Sequence, residues 1–143
     1  MCAAIAGQLR LVKVCLNARC SVGASLKRSV QGFVNFAKGS TALHQVCYHR
    51  PNRQLEILEV LLQARANVNR PHGFGMPLRR CCTTPGAVGL LLRYRAGLPS
   101  RAGPGQTPLD ACANWYGNAK ILEALIHHGA VLELSGKGFG TCP

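Results

Sequence analysis

Five groupings of side chains could in principle do chemistry. Cys81-Cys82 and His127-His128 are adjacent pairs, His44 and Cys47 lie three apart, as do Glu56 and Glu59, and Gly136-Lys-Gly-Phe-Gly140 is glycine-rich. Paired thiols and imidazoles suggest zinc, but neighbouring residues on a helix diverge by about 100°, so His127 and His128 cannot both face one ion. No Cys-x-x-Cys spacing is present, and no metal is expected. His44 and Cys47 would share a helix face as a thiol–imidazole nucleophile, yet no third group is placed to orient the imidazole. The glycine run could cradle phosphate only with a helix N-terminus behind it, and no helix fits before Pro143. Glu56 and Glu59 lie beside arginines and suit a solvated helix face better than acid–base work. With five acids in all, Asp110, Glu123 and Glu133 being the others, no carboxylate pair remains. Neither an enzyme nor a cofactor is expected.

What must position these residues is a packed domain. The 143 residues are 48% hydrophobic and 15% charged, enough for a sizeable core. No apolar run approaches the roughly 20 residues that cross a bilayer. The N-terminus has no basic stretch ahead of an apolar segment, so an intracellular protein of cytoplasm or nucleus is expected, without membrane insertion. In that setting the eight cysteines, most of them in apolar, helix-like stretches, are read as reduced, buried thiols. Seventeen Lys and Arg against five acids give a formal charge of +12, which favours acidic surfaces on a partner.

The chain repeats itself. Thr41-Ala-Leu-His44 aligns with Thr107-Pro-Leu-Asp110, and Val46-Cys47 with Cys112-Ala113. Leu61-Leu62 then aligns with Leu125-Ile126, and Arg65-Ala66 with Gly129-Ala130. A weaker copy holds Met76-Pro77-Leu78, Cys81-Cys82, Leu91-Leu92 and Arg95-Ala96, and a fourth runs from Ala3 through Leu16 to Arg19-Cys20. Within a unit, Thr and Pro start a short helix with small residues inward. A second helix carries apolar residues at Ile57, Leu58, Leu61 and Leu62, or at Ile121, Leu122, Leu125 and Ile126. His128-Gly129 reads as its stop. Neither helix could bury its apolar face alone, so the units must stack.

A unit of this length opening Thr-Pro-Leu-His and continuing with small residues resembles the ankyrin repeat. The resemblance covers residues 2–23 and 39–133. It implies an all-α solenoid of stacked helix-turn-helix units joined by short β-hairpins or loops. The units would be a partial repeat at 1–23, an insertion at 24–38, repeats at 39–69 and 100–133, a degenerate repeat at 70–99, and a tail at 134–143 that begins another. His44 would then tie neighbouring hairpins together through hydrogen bonds. Three departures stand out. Arg50-Pro51-Asn52-Arg53 lengthens a loop, Pro85-Gly86 should cut the third unit's first helix early, and Arg79 replaces the family histidine. Neither end reads as a polar cap, so the sequence is expected to be part of a longer array.

Proteins similar to this one bind partner proteins on hairpin tips and on the exposed side of the first helices, a concave face. Carried across, that pattern gives Lys38, Ser40, Tyr48 and His49 in the second unit, with Ile5 and Ala6 in the first. The third offers His72, Phe74 and Thr83-Thr84. The fourth offers Ala102, Gly103, Gln106, Asn114, Trp115 and Tyr116. Aromatic residues beside arginine suit binding hot spots, and Arg70 and Arg101 would steer an acidic partner. The expected function is a non-enzymatic scaffold or adaptor for another protein with an acidic surface. A narrower form is the substrate-recognition arm of a cullin-type ubiquitin ligase, because Thr-Pro-Leu-Asp late in an array resembles proteins that add a SOCS box, although none is present here. Electrostatic nucleic-acid binding is the alternative from another class; it ranks lower because no basic–aromatic stripe is visible.

Overall fold

The computed structural model describes residues 2–25, 39–71, 75–98, 107–114 and 118–130, excepting the side chains of Cys2 and Asn114. Among them run eight helices in four pairs: α1 (Cys2–Ile5) with α2 (Leu9–Asn17), α3 (Ala42–His49) with α4 (Gln54–Gln63), α5 (Pro77–Arg80) with α6 (Pro85–Arg93), and α7 (Pro108–Asn114) with α8 (Ala119–His127).

Local signals set the helix starts. Thr41 and His44 form a reciprocal capping box at α3, with the Thr41 amide donating to His44 Nδ1. Thr107 and Asp110 repeat the device: the Thr107 amide donates to the Asp110 carboxylate at 2.9 Å and the Asp110 amide to Thr107 Oγ1 at 3.1 Å. Proline opens α5, α6 and α7, where its missing N–H costs nothing. Asn118 caps α8 by accepting the Lys120 amide.

The ends of the second helices share one geometry. In α2 the Cys20 amide donates to the Cys15 carbonyl and the Arg19 amide to Leu16, both at 3.0 Å. Ala66 to Leu61 and Arg65 to Leu62, Ala96 to Leu91 and Arg95 to Leu92, and Ala130 to Leu125 and Gly129 to Ile126 repeat it. This crossed pair of bonds is the Schellman motif, which turns one residue left-handed. That residue is Gly129 in the fourth unit, at φ 91°, but Arg19, Arg65 and Arg95 in the others, at 56°, 62° and 59°.

The pairs stack in two rows. First helices pack on first helices, α1 on α3, α3 on α5 and α5 on α7, while α2, α4, α6 and α8 form the second row. The apolar spacing of α4 buries Ile57, Leu58, Leu61 and Leu62. In α8 only Ile121 and Leu125 are buried; Ile126 is 52% exposed. Cys47, Cys81, Cys82 and Cys112 fill the narrow space inside the first row, where a larger side chain would separate the helices.

Further ties cross from unit to unit. His44 Nε2 donates to the Arg70 carbonyl, 26 residues on, at 3.0 Å. Asn69 donates to the Arg95 carbonyl at 3.2 Å and accepts the Gly97 amide at 2.6 Å. Cys82 Sγ donates to the Pro108 carbonyl at 3.2 Å.

The third unit differs in detail from expectation. Pro85 does not cut its first helix; α5 has already ended at Arg80, and Pro85 opens α6. Thr83 and Thr84 therefore lie in the turn and at the α6 cap rather than on the first helix. Arg50 and Arg53 both turn left-handed in the lengthened loop between α3 and α4. No strand forms among the described residues; one antiparallel bridge, Ser25 to Thr41, stands where a hairpin was expected. The insertion from residue 26 onward and the tail lie outside the described residues. No described helix is long and apolar enough to cross a membrane.

Candidate functional site

The C-terminal ends of α3 and α5 lie side by side in the first row and bring a cluster together. Tyr48, half-buried on the last turn of α3, has the Arg80 guanidinium over its ring at 4.7 Å from the centroid. His49 meets the Tyr48 ring edge-on at 5.0 Å and is exposed. Arg50, the left-handed cap of α3, reaches across to donate to Thr83 Oγ1 at 3.0 Å. Two guanidinium groups thus bridge these successive units, Arg80 over the Tyr48 ring and Arg50 on Thr83.

Burial shapes the electrostatics. Partial desolvation lowers the pKa of Arg80, and burial likewise lowers that of His49, so at neutral pH the imidazole is mainly neutral. Beneath them the thiols are pushed the other way. Burial, with help from Cys47, raises Cys81 well above its ordinary value, and burial followed by the neighbouring Cys112 and Cys81 raises Cys82 to about 12. These thiols stay protonated and act as small apolar fillers.

The other sequence-derived positions fare differently. Ser40 is fully buried and accepts a hydrogen bond from Gln45 Nε2 at 2.6 Å, so it is part of the interior and not of a binding face. Arg70 does not project toward a partner: it donates to the Gly23 carbonyl at 3.4 Å and to Ser25 Oγ at 3.3 Å, clamping the segment that leads into the insertion. Ile5 is half-buried and Ala6 exposed on the first unit. Asn114 ends α7, and only its backbone is described. Lys38, His72, Phe74, Ala102, Gly103, Gln106, Trp115, Tyr116 and Arg101 lie outside the described residues.

Arg50 and Arg80 were missed from the sequence. Arg80 sits next to Arg79 in the shortest first helix, and nothing local says which of the two faces Tyr48. Arg79 instead lays its stem over Gly75, where an added Cβ would stand 2.9 Å from Arg79 Cδ. His44, the candidate nucleophile partner, spends both ring nitrogens on Thr41 and the Arg70 carbonyl. No three His, Cys, Asp or Glu side chains among the described residues could hold a metal ion.

Residues 38–72 and 104–137 each match the ankyrin repeat. The pair of helices between them, α5 and α6, lies outside both matches but packs in register with them. No curated protein matches the chain. Ankyrin repeats generally mediate protein–protein interaction and are typically non-enzymatic.

Proposed function

We propose that this chain, with its two ankyrin repeats joined through a stacked middle unit, is a non-enzymatic scaffold that binds an acidic segment of another protein. The binding face is the first-helix row, centred on Tyr48, His49, Arg50 and Arg80. One observation carries the reading: the Arg80 guanidinium of one unit lies over half-buried Tyr48 of the unit before it, while Arg50 reaches across between the same two units to Thr83. A carboxylate at the edge of Tyr48 would pair with the Arg80 guanidinium, and an apolar neighbour in the same segment would cover the exposed part of the ring. The units brace one another, so the side chains are held in place before binding and little ordering entropy is lost. The net charge of +12 attracts such a partner from a distance. Lys38, His72, Phe74, Asn114, Trp115 and Tyr116 are further candidates for contact with the partner on the repeat pattern of the sequence alone. Selecting substrate for a ubiquitin ligase would use the same surface, but no described residue favours that end over other protein binding.

The test is selection from a randomised peptide library on the immobilised chain at ~0.15 M salt. Selected peptides should be rich in Asp and Glu, and Tyr48→Ala with Arg80→Ala should lose them while far-UV circular dichroism is unchanged. A short DNA duplex added as competitor should not displace them. Peptides without acidic enrichment, or equal binding to the double variant, would overturn the reading. Displacement by the duplex would favour phosphate contacts instead.

A further inference from the structure

We propose that Cys15 and Cys20 form a dithiol that a low-molecular-weight disulfide oxidises to an intramolecular disulfide across the end of α2. Unlike the four buried thiols of the first row, both are exposed, which corrects their expected burial. They also line one shallow apolar pocket together with Leu16 and Val22.

The turn fixes their separation. Cys20 N–H donates to the Cys15 carbonyl at 3.0 Å, while Arg19 between them is left-handed at φ 56°. Residues joined by a backbone N–H···O bond have α-carbons between about 5.5 Å, as in an antiparallel pair, and about 6.2 Å, as in a helical turn, inside the roughly 4.4–6.8 Å that a disulfide spans. In the Schellman motif the side chains of these two positions meet. In the other units Leu61 and Ala66, Leu91 and Ala96, and Leu125 and Ala130 occupy the same two places, and all six lie in or against the core. In the first unit cysteine replaces both members of the pair.

The chemistry is thiol–disulfide exchange. One protein thiolate attacks oxidised glutathione, breaks its S–S bond, forms a mixed disulfide and expels a glutathione thiolate. The second protein thiolate attacks the protein sulfur of that mixed disulfide, closes the Cys15–Cys20 bond and expels the other glutathione thiolate. Two protein thiols are oxidised, one glutathione disulfide is reduced, and the two protons pass to the two glutathione thiolates. Cys81 and Cys82 stay out of this exchange because burial keeps them protonated and shielded.

The reduced full chain is incubated with oxidised glutathione, quenched by alkylation, digested with trypsin and read by mass spectrometry. Trypsin cuts after Arg19, so the bond joins peptide 14–19 to peptide 20–27. That linked pair should dominate, and it should form faster in buffer than in urea. Cys15→Ser or Cys20→Ser should instead retain glutathione on the remaining thiol. Glutathione kept on both cysteines of the natural chain, a link to a different cysteine, no modification, or equal rates in urea and buffer would each overturn the proposal.

Discussion

Replacing the three left-handed arginines by glycine should stabilise the protein. Arg19, Arg65 and Arg95 hold φ between 56° and 62°, whereas the fourth unit uses Gly129 at 91°. A side chain in that conformation costs about 1–2 kcal/mol, because Cβ crowds the following carbonyl. Glycine removes that strain but adds freedom to the unfolded chain, which costs about 0.5–1 kcal/mol. The net gain is about 0.5–1 kcal/mol per site. All three side chains are exposed, so little packing is lost with them. The sites end separate helices and should add, giving about 1.5–3 kcal/mol for the triple variant. Urea unfolding followed by far-UV circular dichroism should show a higher midpoint at unchanged slope, with a melting temperature raised by roughly 4 °C per kcal/mol. Gly129→Arg is the reverse experiment. A Cβ there meets nothing within 4 Å, so its cost is the backbone strain alone, and it should lose what one of the other sites gains. Unchanged or lower stability in the triple variant would refute the reasoning.

His44→Ala removes half of the α3 capping box and the tie to the Arg70 carbonyl, and should cost about 2–3 kcal/mol in the same urea assay. A loss below about 0.5 kcal/mol would mean that water replaces both bonds. Alkaline stability should depend on Cys82. Its folded pKa of about 12 lies above the ordinary 9.0, so its contribution is complete below pH 9 and is lost as pH rises toward 12. Across that window the unfolded chain releases the proton first, a slope of about −1.4 kcal/mol per pH unit. Cys82→Ala should flatten the fall in stability by up to that amount, and identical pH profiles for the two proteins would contradict the burial of this thiol.

Local chemistry was the legible part. Thr41 with His44, Thr107 with Asp110 and the helix-opening prolines act within three residues, so their caps can be read without knowing the fold. The second-helix apolar spacing likewise revealed which leucines of α4 turn inward. Contacts between units were harder. Arg80 over Tyr48 depends on how far α5 advances along α3, which the repeat length alone does not fix. Ser40 was placed on the surface because hairpin positions usually are, and only the reach of Gln45 explains its burial. Cys15 and Cys20 read as buried with the other cysteines because most of these sit in apolar, helix-like stretches, a pattern that does not show which side of the helix end each one takes.

The ties between units also bear on how the array responds to force. His44 to Arg70 and Asn69 to Arg95 each close a loop of 26 residues, and Asn69 to Gly97 one of 28. Arg70 to Gly23, 47 residues apart in sequence, joins the connections on either side of the second unit. The helix rows likewise pack in adjacent pairs, so among the described residues each unit is held mainly by those beside it. Pulled from its two ends, the chain meets no long-range clasp among the bonds named above that must break before all others. It should lengthen in successive steps of one unit, a saw-tooth trace in place of a single rupture.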